Sequence, residues 1–494
     1  MLNFQIGLAV LILIFALAGI STYILVQRSG KRFIIAGRSL PFIFIGTMFL
    51  AQATDANSTL GNAAAVYAGG FWSGFQFPLG LALCLVVVGI WYAKPLHRMN
   101  LITLPDFYFR RYGNTTEILV SLLMAFSFII LVAGNIAGCG WILSTVFPIS
   151  LVEGMLIMAG IVFVYTLAGG LFSCVATDII QLYPAILAFI GSTIWLLSHF
   201  GWDFFAQAIP PGFLDFSGLT SVENGALLNW AGILALGLGD VIALDFMERV
   251  FAADSPDTAR KGCFWGAFWT LVIGLCASFM GLMGLSLFPD IADSREVLPQ
   301  MSMTVLPFIL GLFTLAGVVG AGLSTANGGL LAVCAVFARN ILQRNILRTK
   351  REKMGEEEMK RFDYKLLVYT RLMGIPVMAA AITLAYFKPE PGIMLVLAFD
   401  VVFAGCFVPL TLGLFWKKAN TPGALAAVIV GSLTRLVLYF TIPEHLAGLD
   451  TMIPPVVSLL VMVPVSLLTQ KRYPANHEVI YETPSDELVL SAER

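Results

Sequence analysis

The chain has 494 residues, of which 58% are hydrophobic and 12% charged, with a mean hydropathy of +0.87. A soluble globular chain averages about 25% charged residues, so most of this one lies in lipid. Its formal net charge of -1 gives no general attraction to nucleic acid or anionic lipid, and seven cysteines without CxxC spacing and four scattered histidines argue against a disulfide framework or a metal cofactor.

At roughly 20 residues per helical crossing, about thirteen spans follow in chain order, at residues 5–27, 41–68, 71–93, 116–146, 150–168, 174–199, 229–250, 262–288, 303–338, 368–387, 391–416, 421–442 and 451–470. The expected fold class is an all-α polytopic membrane protein. The first run is longer than a signal-peptide core and lacks a preceding Lys or Arg and a clear cleavage site, so it should remain as a span.

Cytoplasmic connections retain Lys and Arg. Taking every second connection from Arg28 onward as internal places there Arg28, Lys31, Arg32 and Arg38, then Lys94 to Arg111, then Arg249, Arg260 and Lys261, the cluster from Arg339 to Arg371, Lys417, Lys418 and the tail. Of 29 basic residues only Arg295 and Lys388 fall outside, and Arg435 lies within the twelfth span, where it should snorkel or pair. This puts the N-terminus outside and the C-terminus in the cytoplasm of a cell-membrane protein. The 339–371 loop and the tail after 471 are too short to hold an enzyme domain.

Span 41–68 carries Ala53-Thr54-Asp55-Ala56-Asn57-Ser58-Thr59 at the expected bilayer midplane. An Asp at the centre of a span costs about 2.5 to 3.5 kcal/mol on insertion scales, so Asp55 must face protein, water or an ion. A break here would free backbone carbonyls, Ala53 and Ala56 among them, to coordinate Na⁺.

Span 229–250 has Gly237-Leu238-Gly239-Asp240 near its centre, which also suits an interrupted helix. Span 303–338 carries Gly320 to Gly329, in which Ser324 and Thr325 supply adjacent hydroxyls. Alone, such a pair usually bonds to its own backbone; beside another oxygen-rich interruption it becomes a candidate ligand pair, and this span too is expected to be broken.

These residues resemble the sodium:solute symporter family. Phe33 to Pro41 is similar to its entry motif, Tyr165 to Leu171 with Thr177, Asp178 and Gln181 to another, and Gly322 to Thr325 to its sodium motif. The resemblance runs from about residue 30 to 440 and implies a five-plus-five inverted-repeat core with discontinuous helices. Its repeats would be 41–199 and 229–416, after an extra helix and loop at 1–40, with an extracytoplasmic loop at 200–228, two peripheral helices at 417–470 and a cytoplasmic tail at 471–494.

Carried over residue by residue, the resemblance implies a Na⁺ site made of the carbonyls of Ala53, Ala56 and Ala321 and the hydroxyls of Ser324 and Thr325. It implies an acid for coupling at Asp55 and an acid lining the ion's exit at Asp178. Read alone, Asp178 at the cytoplasmic start of its span is equally an acid favoured by the helix dipole. Asn57, Asp240 and Asp400 complete the candidates for the coupling or substrate pathway.

Within the family the resemblance is nearest to the high-affinity choline transporter branch, through Ala65-Val66-Tyr67, Ala93-Lys94-Pro95, Phe337 to Ile341 and Asn420 to Ala424. Where that branch has tryptophans, this chain has Gly74, Leu131 and Ala243. An aromatic cage for quaternary ammonium is therefore not expected. Bundle acids without an unambiguous core Arg favour a cationic, zwitterionic or polyhydroxy solute. The implied function is sodium-coupled symport of a small polar solute by alternating access, with no cofactor and no enzyme activity; the alternative is an ion channel or membrane sensor on the same fold.

Overall fold

The computed structural model describes residues 2–347 and 356–475. Four basic residues of the 339–371 cluster, and the tail beyond 475, lie outside them. The first helices are α1 (Leu2–Ser21), α2 (Phe42–Ala53), α3 (Ala56–Gly69), α4 (Phe71–Val87), α5 (Pro105–Tyr112) and α6 (Asn114–Val146). Next come α7 (Leu151–Gly169), α8 (Leu171–Phe200), α9 (Ala226–Gly237), α10 (Leu244–Ala252) and α11 (Pro256–Leu287). The remainder are α12 (Phe308–Val336), α13 (Glu356–Phe387), α14 (Pro391–Gly405), α15 (Phe407–Phe415), α16 (Thr421–Thr441) and α17 (Leu449–Thr469). Outside the helices, Leu40 and Ala253 form one isolated bridge.

Among the described residues ten helices are long and apolar enough to cross a membrane, and two bent pairs, α9–α10 (46°) and α14–α15 (49°), raise the number to twelve. A thirteenth crossing rests on reading α2 and α3 as one interrupted span. Burial sorts centre from rim: 78% of the apolar window in the span from Phe308 is buried, against 28% in the first span. Leu2, Ile6, Leu13 and Leu17 of α1 point outward, as expected of a helix solvated by lipid.

Local sequence explains where helices begin. Ser150 and Glu153 form a reciprocal capping box at α7. Ser255 caps α11, whose first residue is Pro256, and Asn420 caps α16 through the Gly423 N–H. Between spans, small residues replace a hydrophobic driving force: Gly266 of α11 lies against Phe49 of α2, Gly274 against Pro78 of α4, and Gly281 against Ala63 of α3.

Two expectations are corrected. The oxygen-rich segment of 303–338 is not broken: α12 runs unbroken from Phe308 to Val336, because its small residues fill close helix contacts without interrupting the backbone ladder. Nor is 339–371 a plain loop. The chain continues in π-helical turns over Phe337–Ile346, and α13 begins at Glu356.

Candidate functional site

Thr54 and Asp55 leave helical geometry, and Asp55 becomes the N-cap of α3. Its Oδ1 accepts from the Ser58 N–H at 2.7 Å. Its Oδ2 accepts from Asn57 at 2.7 Å and from Asn135 of α6 at 2.8 Å, while the Asn135 side-chain oxygen, Oδ1, accepts the Ala56 N–H at 3.1 Å. A buried carboxylate is thus held by three donors, and it fixes the start of α3. The Asn57 amide oxygen has no partner among the described residues and faces Gly134 of α6.

Helix α12 lies against this break. A Cβ on Gly322 would meet the Ala56 side chain at 2.8 Å, so the absence of one lets the two segments touch. Thr325 donates to the Ala51 carbonyl at 3.3 Å, and the Gln52 amide donates to the Ser324 carbonyl at 3.2 Å. The Ala53 carbonyl, at the end of α2 where helical partners run out, accepts from the Ser58 hydroxyl at 3.2 Å. Ala53, Ala56, Ser324 and Thr325 therefore occupy facing segments, with Ala321 one residue before the Gly322 contact.

The Ser324 hydroxyl donates to Asp178 of α8. Asp178 is fully buried, its other oxygen has no partner among the described residues, and it stands about two turns into α8. The reading of Asp178 as a helix-end acid does not describe this position. Gln181, one turn on, packs against Gly320 with both amide atoms unpartnered among the described residues.

At the second interruption, Asp240 sits on the tight turn Gly239–Ile242 between α9 and α10. It is 1% exposed, and among the described residues neither carboxylate oxygen has a hydrogen-bond partner. Arg249 of α10 corrects the sequence reading, which placed it in a cytoplasmic connection and left the core without an arginine. It is 0% exposed, donates to the Asp245 carbonyl at 2.9 Å, lies 3.7 Å from Glu248 and reaches Gly328 of α12 beside Gln52.

Asp400 pairs with Arg435, which also meets Asp450 at 2.9 Å. The structure thus brings Asp400 to α16 and α17, where its neighbour is a guanidinium and not the α2–α3 break. The cage positions are likewise filled by packing: a Cβ on Gly74 would fall 2.3 Å from the Asn62 carbonyl, and Leu131 and Ala243 are buried.

Both ends of the bundle are built. A cavity of about 390 Å³ is lined by Gly61, Ala64, Phe77, Asp293, Arg295 and Gly392, among others. Along its wall α3 and α14 meet backbone to backbone, a Cβ on Gly61 falling 2.9 Å from the Gly392 nitrogen. At the other end Asp106 of α5 accepts from Arg339 at 2.9 Å, Arg344 at 2.8 Å and Asn340 at 3.1 Å. Burial pushes the Asp106 carboxyl up, but the guanidiniums of Arg339, Arg344 and Arg110 outweigh it and hold it well below the usual carboxylate range.

Sequence reasoning missed Gln52, Asn135, Glu248 and Arg249. The signal was present, since each is a polar side chain in or beside an apolar span and so needs a partner in the bundle.

Interrupted helices crossing beside buried hard oxygens define a secondary transporter. The profile of the Sodium:solute symporter family matches residues 33–431, and the chain belongs to that family. It is 25% identical over 425 residues to the human (Homo sapiens) high affinity choline transporter 1, covering 83% of this chain and 71% of that one. It is 27% identical over 440 residues to the sodium/pantothenate symporter of Escherichia coli (strain K12), covering 85% and 87%. A Na⁺-coupled sialic acid symporter solved in a substrate-bound outward-open state superposes with a TM-score of 0.71 at 16% identity, covering 96% of this chain and 98% of that one. At that identity the likeness is one of fold. The relatives are transporters, and a channel reading is not favoured.

Proposed function

We propose that the protein imports a small polar organic solute together with Na⁺ by alternating access, as a symporter rather than an enzyme. The observation that carries this reading is the apposition of the α2–α3 break to Ser324 and Thr325 of α12, with Asp178 behind them. The donor set is all oxygen, which suits a hard monovalent cation. The carbonyls of Ala53, Ala56 and Ala321 and the two hydroxyls would hold it, and the unpartnered Asp178 oxygen gives it a path through the bundle.

The repeats we assign are 41–199 and 229–416, each opening on an interrupted helix, flanked by 1–40, the 200–228 loop, the 417–470 helices and the tail. The asymmetry of basic residues supports an external N-terminus and a cytoplasmic C-terminus. The bundle acids favour a cationic, zwitterionic or polyhydroxy solute, and the packing at Gly74 and Ala243 supports the absence of a tryptophan cage.

The test is thermal unfolding of the purified full-length protein in Na⁺ against K⁺, followed by solute uptake into proteoliposomes. Na⁺ should raise the unfolding temperature by mass action and drive uptake only along its own gradient. Equal responses to Na⁺ and K⁺, or ion current without any solute, would remove the symporter reading.

A further inference from the structure

We propose that the transported solute carries an ammonium group and that Asp240 is its counter-ion. The inference rests on the symporter reading and narrows it to one class of solute.

The buried acids of the bundle differ in how they are satisfied. Asp55 has three donors, Asp178 the Ser324 hydroxyl, Asp245 the Phe246 N–H at 2.7 Å, and Asp400 the Arg435 guanidinium. Glu248 has Arg249 at 3.7 Å. Asp240 has neither donor nor counter-ion among the described residues, although it is 1% exposed. The charged groups that act on it are Asp245 and Asp55, both acids.

Burying a lone carboxylate costs several kcal/mol unless a cation or donors meet it, so this turn is built for a positive partner that arrives with the solute. Its walls choose between kinds of cation. Gly239 lies against Phe403 and the Phe399 carbonyl of α14. The turn sets this acid beside aromatic side chains, and among the described residues no group of three or more His, Cys, Asp or Glu could hold a metal ion. It suits an ammonium whose carbon body lies on apolar and aromatic surface.

The mechanical consequence follows from the position. Asp240 stands on the hinge between α9 and α10, so an ammonium bound there contacts the element whose two halves differ in direction by 46°. Its charge is sensed at the same interruption that a rocking bundle must reorient.

The experiment is a thermal-shift panel on purified full-length protein in Na⁺ and in K⁺. Ethanolamine, putrescine, L-lysine and 4-aminobutyrate are set against 1,4-butanediol, glucose and succinate. At least one ammonium compound should stabilise the protein in Na⁺, and none of the others should. Asp240→Asn should raise that compound's half-saturating concentration about tenfold or more. Asp240→Glu should retain part of the response, and the shift produced by Na⁺ alone should persist in both variants.

Stabilisation by the neutral or acidic compounds alone, by no ammonium compound, or to an equal extent in Asp240→Asn would overturn the proposal. The selectivity of the wild type decides the matter even where a variant fails to fold. A wild type indifferent to Na⁺ would instead remove the symporter reading beneath it.

Discussion

The Ser324 hydroxyl of α12 donates to the Asp178 carboxylate of α8, joining two residues 146 positions apart. The same serine faces the end of α2 through Gln52. Ser324 is thus shared between the candidate ion site and the acid behind it, and the first prediction concerns that sharing.

Replacing both Ser324 and Thr325 with Ala removes two side-chain oxygens from the segment facing Ala53 and Ala56. Ion and solute stabilise one another's binding by typically about 1 to 3 kcal/mol, so the double variant should bind solute roughly 5- to 150-fold more weakly in Na⁺. Asp178→Asn should shift the sodium dependence in the same direction by a smaller factor. Solute binding across a sodium titration in a potassium background is the measurement. An undiminished sodium response in a folded double variant would exclude these hydroxyls and leave Asp55 as the main candidate.

Asp400 and Arg435 should behave as a structural pair. Arg435→Ala leaves a buried carboxylate uncompensated and should destabilise the protein by about 3 to 5 kcal/mol, whereas Asp400→Asn with Arg435→Met should cost much less. In that double variant Na⁺ affinity should stay within about twofold, since the pair joins α14 to α16 and α17 and does not touch the α2–α3 break. A large loss of affinity at unchanged stability would return Asp400 to the coupling pathway.

Asp106 supports a pH prediction. Its carboxyl is held low in the folded protein, so the stability it contributes is complete above the ordinary carboxylate pKa of about 3.9 and is lost only as pH falls through the lower folded value. Asp106→Asn should therefore lower the unfolding temperature by the same amount from about pH 5 to about pH 8. A gap between variant and wild type that closes toward pH 5 would show that the carboxyl titrates there and that its guanidinium partners do not hold it.

Orientation can be read by labelling single cysteines at two exposed positions, Thr220→Cys and Lys417→Cys. In intact cells an impermeant maleimide should reach position 220 and not 417, and permeabilisation should expose 417. The opposite pattern would invert the assignment from basic residues.

The class of protein, the number of crossings to within a few and the two interruptions at Thr54–Asp55 and Leu238–Asp240 were legible in sequence. Each is a one-dimensional property: lipid demands long apolar runs, and a cluster of polar side chains inside one is too costly to face hydrocarbon. The hydroxyl pair and Asp178 were legible as residues, though only the resemblance to a family implied a Na⁺ site for the pair and a place on the ion's exit for Asp178.

What sequence left open is which polar group meets which. Continuous α12, the burial of Arg249 against Gly328, the pairing of Asp400 with Arg435 and the grip of Arg339 on Asp106 across 233 positions all depend on helix packing. Hydropathy and spacing state that a buried charge needs a partner. Only the three-dimensional arrangement of the helices decides which side chain comes within reach, and it leaves Asp240 with none among the described residues.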